Sequence, residues 1–121
     1  MQKVLVVDDS ITQRQLMSNA LADLGLTVLI ATDGIEALEQ IESTQPDIVV
    51  LDIVMPRMNG YEVCRTIKSN PTTQHVPVVI CSSKSEEFDR YWGMKQGADA
   101  YLTKPIQPKQ LLVTVRQLLE G

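Results

Sequence analysis

Lys3-Val4-Leu5-Val6-Val7-Asp8-Asp9 decides the fold: a short β-branched run that stops abruptly on two acids. The same arrangement recurs along the chain. Ile48-Val49-Val50-Leu51 runs into Asp52, residues 76–81 run into Ser82-Ser83, and Ala100-Tyr101-Leu102-Thr103 runs into Lys104-Pro105. Residues 47–51 show no apolar/polar alternation, as expected of a strand buried on both faces of a sheet. Thr27–Ala31 supplies a further strand-like run.

Between these runs the apolar spacing turns helical. Ser10 with Gln13 three residues on gives a capping-box pattern, and Met17, Ala20, Leu21 and Leu24 follow before Gly25 stops the helix. Asp33 and Glu36 form a second cap-like pair ahead of Ala37, Leu38 and Ile41, and Pro46 marks the next break. Asn59 with Glu62 opens a third helix carrying Val63, Cys64 and Ile67, which ends at Asn70-Pro71. Ser85 precedes Glu86-Glu87, whose charge suits a first helical turn, and Gly97 closes that helix. Pro108 suits the first turn of the last helix, with its stripe of Leu111, Leu112, Val115, Leu118 and Leu119. Five strands and five helices in strict alternation predict an α/β fold with a mostly parallel sheet covered on both faces.

The 121 residues suit one domain with its own core, and a 44% hydrophobic content excludes global disorder. Residues 1–121 are expected to form that single domain, with no output domain. Net charge is −4, from 11 basic against 15 acidic residues, the wrong sign for a nucleic-acid-binding surface. No apolar run approaches the roughly 20 residues of a bilayer span, so no membrane insertion is expected. The N-terminus enters a strand directly, without a signal peptide, which predicts a cytoplasmic location. Cys64 and Cys81 fall in apolar or periodic segments and are expected to be buried structural thiols. His75, with no Cys or His beside it, is a poor metal ligand. Phe88, Tyr91 and Trp92 fall at i, i+3, i+4 and are expected to serve chiefly as core, with one of them available to a partner.

If the apolar runs are neighbouring parallel strands, Asp8, Asp9, Asp52, Ser82 and Lys104 meet at one edge of the sheet. Open α/β sheets bind ligands at that carboxyl edge. Three carboxylates, a hydroxyl and an ammonium suit a hard divalent cation and a phosphoryl group. A single acid after a strand is commonly a helix cap, but Ser10 is available for that job behind Asp8 and Asp9. Asp52 is followed by Ile53-Val54-Met55-Pro56 and caps no nearby helix. A carboxylate set on apolar β structure needs a partner, because an unpaired buried charge is costly. Lys104-Pro105 directly after a strand suits a constrained turn that aims the lysine back toward the strand ends. Gly60 reads as a position required by backbone geometry near the third helix.

Val7-Asp8-Asp9, the segment Leu51-Asp52-Ile53-Val54-Met55-Pro56-Arg57-Met58-Asn59-Gly60, and Gly97-Ala98-Asp99-Ala100-Tyr101-Leu102-Thr103-Lys104-Pro105 together resemble the receiver domain of two-component response regulators. The resemblance covers essentially the whole chain, in the family's order and spacing. It implies a flavodoxin-like, doubly wound five-stranded parallel sheet of order 2-1-3-4-5 flanked by five helices. It implies that Asp52 accepts a phosphoryl group from a histidine kinase or histidine-phosphotransfer domain. It implies that Asp8, Asp9, Asp52 and the backbone carbonyl of Val54 hold Mg²⁺, with Asp9 the direct ligand of the acidic pair. Ser82 then bonds the phosphoryl oxygen, Lys104 pairs with it across a cis Lys104–Pro105 bond, and Tyr101 is the aromatic switch. Phosphorylation is expected to draw Ser82 toward the phosphoryl group, turn Tyr101 inward and remodel the surface of residues 85–96, 99–103 and 108–119 for a downstream target protein. The stretch 89–99 resembles receivers of chemotaxis and type IV pilus twitching systems, acting as a monomer or weak dimer.

Val54, Ser83, Lys84 and Pro105 flank the site, and the Val54 and Lys84 side chains are expected over its mouth. An apolar Val54 cannot orient an attacking water, which predicts slow autodephosphorylation. The chain is not expected to be an enzyme beyond its own phosphorylation and dephosphorylation. The alternatives are an aspartate-nucleophile phosphohydrolase, which usually carries a second acid where Val54 stands, and a phosphorylation-independent interaction module, which would not need the full acidic set with Lys104. A transcription factor would need a second domain and the opposite charge.

Overall fold

Val4, Leu5, Val6 and Val7 have no exposed surface, which places β1 (Lys3–Val7) inside the sheet. The computed structural model describes residues 2–121. After β1 come α1 (Ile11–Ala22), β2 (Thr27–Ala31), α2 (Gly34–Thr44), β3 (Ile48–Leu51), α3 (Gly60–Ser69), β4 (Val78–Ser82), α4 (Glu87–Lys95), β5 (Ala100–Thr103) and α5 (Pro108–Glu120). The strands lie in the order β2-β1-β3-β4-β5, and every neighbouring pair is parallel. The alternation of strands and helices thus gives the expected doubly wound α/β architecture.

The pleat of the inner strands divides the core. Leu5, Val7, Val49 and Leu51 pack with Ala37, Ile41, Val63, Cys64 and Ile67 under α2 and α3. Val4, Val6, Ile48 and Val50 pack with Met17, Leu21, Leu111 and Val115 under α1 and α5. Each such side chain contributes about 1.5–3 kcal/mol on full burial. Cys64 and Cys81 are both free and buried, as their segments predict. His75 is exposed. No helix among the described residues is long and apolar enough to cross a membrane.

Four local features depart from expectation. The fourth strand spans Val78–Ser82 rather than 76–81, because the Val76 N–H donates to the Thr73 carbonyl in a turn at 2.9 Å and Pro77 has no N–H for the ladder. Ser10 caps α1 by accepting from the Gln13 N–H at 3.3 Å, but the reciprocal half of the box does not form. The Asp8 carboxylate takes the Ser10 N–H instead, at 2.9 Å, and the buried Gln13 Oε1 is left without a partner. Glu86, expected in the first turn of α4, is its N-cap, with Asp89 accepting the Glu86 N–H at 3.3 Å. Phe88, Tyr91 and Trp92 are not core: they are 70%, 60% and 40% exposed. Helix α4 buries Gly93 instead, so its small side faces the sheet and its aromatics face out.

Candidate functional site

The parallel register brings the strand ends level. Val7 pairs with Leu51, so Asp8 and Asp52 leave adjacent strands side by side, and the Asp52 N–H donates to the Val7 carbonyl at 3.0 Å. Ser82 pairs with Thr103, and the next N–H, that of Lys104, donates to the Ser82 carbonyl at 2.8 Å. The topology therefore delivers four strand termini to one edge of the sheet.

There, one carboxylate oxygen from each of Asp8, Asp9 and Asp52 lies within 4.8 Å of the others. Asp8 is 0% and Asp52 7% exposed, whereas Asp9 is open to solvent. Lys104 Nζ sits 2.7 Å from Asp8 Oδ2 and 3.3 Å from Asp52 Oδ2. Asp52 Oδ1 accepts the Ile53 N–H at 2.7 Å, and the Arg14 guanidinium donates to the Asp8 main-chain carbonyl at 2.8 Å. Three carboxylates thus face one ammonium, an excess of two negative charges in a partly dry pocket. Oxygen-only donors with that excess fit a hard divalent cation such as Mg²⁺. Partial burial pulls the Lys104 pKa down, but the carboxylates of Asp8 and Asp52 outweigh it and the net shift is upward, so the lysine stays charged. Burial pushes the neighbouring Cys81 thiol up to about 12, which leaves it an inert part of the core under α1 and α5.

The segment after β3 is held rigidly. A Cβ on Gly60 would overlap the Asp52 carbonyl oxygen, so only glycine lets α3 start this close to the end of β3. The Gly60 N–H closes the loop onto the Ile53 carbonyl at 2.8 Å. Arg57, in the left-handed region at φ 68, reaches both oxygens of Asp33 at 3.0 Å and ties this loop to the start of α2. Val54 is 57% exposed at the rim. Ser83, Lys84 and Pro105 are exposed as well, and the Lys104–Pro105 bond is cis.

Ser82 is fully buried, and its Oγ accepts the Lys84 N–H at 3.2 Å. Tyr101 is 5% exposed and already holds the inward position that phosphorylation was expected to turn it to, its hydroxyl donating to the Lys84 carbonyl at 2.6 Å. Two residues at this position escaped the sequence reading, Arg90 and Gly93, both of which touch Tyr101. A glycine in the middle of a helical pattern was the available signal, since it has to be repaid by packing.

Residues 4–116 match the family described as response regulator receiver domain. Protein PilG of Pseudomonas aeruginosa is 42% identical over 114 residues, covering 94% of this chain and 84% of PilG. Protein PilH of the same organism is 38% identical over 121 residues, covering 100% of both. The crystal structure of the chemotaxis response regulator CheY4 of Vibrio cholerae superposes with a TM-score of 0.90 at 34% identity, covering 98% of each chain. With a family match over nearly its whole length and relatives of this similarity, the chain belongs to the response regulator receiver domain family.

Proposed function

We propose that the chain accepts a phosphoryl group on Asp52 from the phosphohistidine of a kinase or phosphotransfer domain, acting in the cytoplasm. The carrying observation is the convergence of Asp8, Asp9 and Asp52 into one cluster, with the Lys104 ammonium paired to Asp8 and Asp52. An Asp52 carboxylate oxygen attacks phosphorus as the bond to the imidazole nitrogen breaks, and the leaving electron pair returns to the ring. Asp8, Asp9, Asp52 and the Val54 carbonyl would hold Mg²⁺, which supplies charge neutralisation for the incoming group. Lys104, already positioned between Asp8 and Asp52, would neutralise part of the phosphoryl charge. The main-chain bond from Ile53 keeps the Asp52 carboxylate oriented for in-line attack.

Ser82 and Tyr101 then carry the change to the surface formed by α4, β5 and α5, where a downstream protein reads it. Their coupling is supported by Lys84, whose N–H donates to Ser82 while its carbonyl accepts from Tyr101. The similarity to PilG, PilH and a chemotaxis regulator favours a role in motility signalling. Val54 offers no hydrogen bond to an attacking water, so the Val54→Asn phosphoprotein is expected to decay several-fold faster than wild type in a phosphate-release assay. The central test is incubation with acetyl phosphate and Mg²⁺ followed by intact mass measurement. One added phosphoryl is expected in wild type and none in Asp52→Asn, and equal labelling of the two removes Asp52 from its role.

A further inference from the structure

We propose that Gly93 and Arg90 form a clamp on α4 that holds the Tyr101 ring inward, making them positioning residues for the switch; this rests on the reading of Tyr101 given above. Gly93 lies in the last turn of α4 and is buried, although glycine is a poor helix former. Its backbone is ordinary helix, so its conformation does not require glycine. Its surroundings do. A Cβ there would lie 2.9 Å from Tyr101 Cδ2, 3.1 Å from Tyr101 Cε2 and 3.1 Å from Ile80 Cδ1. The missing side chain is therefore the space the ring occupies.

Arg90, one turn earlier, closes over the same residue. Its Nη1 donates to the Tyr101 carbonyl at 3.1 Å, its Nη2 lies 3.4 Å from Thr103 Oγ1, and its guanidinium carbon stands 5.4 Å from the ring centroid. The carbonyl bond fixes β5 against α4, and the cation over the ring favours the inward position. None of these contacts involves Asp8, Asp9, Asp52 or Lys104, so α4 biases the ring through groups outside the acidic pocket. The bias reaches the pocket through the main chain of Lys84, whose carbonyl accepts from Tyr101 and whose N–H donates to Ser82.

The test is broadening of the Tyr101 ring signals by a soluble nitroxide, read by NMR on the full chain labelled at tyrosine ring carbons, with assignment from Tyr101→Phe. Wild type is expected to be protected. Gly93→Ala is expected to broaden several-fold more strongly as its methyl displaces the ring, and Arg90→Ala to fall between the two. Arg90 is exposed, so its variant keeps the test open should Gly93→Ala fail to fold. Protection unchanged from wild type in the folded variants overturns the clamp, even where urea unfolding shows lost stability, because that combination marks a merely structural role. The measurement uses no phosphoryl donor. Exposed rings in both variants together with an unlabelled Asp52 would leave the clamp standing and remove the phosphoryl reading.

Discussion

The two edges of the sheet use carboxylates in opposite ways. At the amino edge Asp99 pairs with Lys68 at 2.9 Å and accepts the Val78 N–H at 2.8 Å. Asp47, just ahead of β3 at the same edge, accepts the Lys3 N–H at 2.7 Å. These acids take up the first N–H groups of β1 and β4 and stitch the end of the sheet. At the carboxyl edge Asp8, Asp9 and Asp52 cluster, and the one ammonium among them, Lys104, pairs with Asp8 and Asp52. Balanced charge there would be structure; the surplus is what fits a cation. The volume of a hollow is a poorer guide, since a cavity of about 450 Å³ lined by Leu38, Ile41, Ile67 and Thr73 lies at the amino edge, away from the acidic cluster.

The contrast can be broken at its strongest point with Gly60→Ala. The new methyl drives into the Asp52 carbonyl, and urea denaturation is expected to show a loss of about 3 kcal/mol. A loss below about 1 kcal/mol would mean that the carboxyl edge yields as readily as an ordinary surface.

Opposite signs are expected when one acid is neutralised at each edge. Asp99→Asn should cost about 2 kcal/mol through its ion pair and backbone bond, whereas Asp52→Asn in magnesium-free buffer should gain up to about 1 kcal/mol by relieving repulsion. The same sign at both edges would erase the distinction. Magnesium sharpens it further. At ten times its dissociation constant it should stabilise the wild type by about 1.4 kcal/mol and leave Asp9→Asn unmoved in thermal melts.

The last effect belongs to Tyr101, beyond the pocket, and is felt only at high pH. Burial pushes its pKa from 10.0 up to about 12, so the folded state keeps a proton that the unfolded state releases first. The stability this gives is fully present below pH 10 and lost as pH rises to about 12. Tyr101→Phe should flatten that part of the stability–pH curve, and an identical curve would show that the hydroxyl is not held as described.

Much of this was legible before any coordinates. Asp8, Asp52 and Lys104 announce themselves because each ends an apolar run, and parallel strands bring such ends together. The strand at residues 76–81 was misplaced because apolar character cannot reveal that the Val76 N–H is spent in a turn. The Phe88-Tyr91-Trp92 stripe was misread because periodicity defines a helix face without saying which way it points. Arg57 with Asp33, and Arg90 with Tyr101, depend on the path of loops and the rotation of a helix, which leave no local signature.

Lys104 and Asp8 stand 96 positions apart, and Asp52 and Lys104 stand 52 apart. A nascent polypeptide that has left the ribosome only as far as β4 owns every acid of the cluster and lacks its ammonium. On the proposed function, competence to drain a kinase therefore arrives with the last strand, and incomplete or unravelled copies stay silent in the circuit.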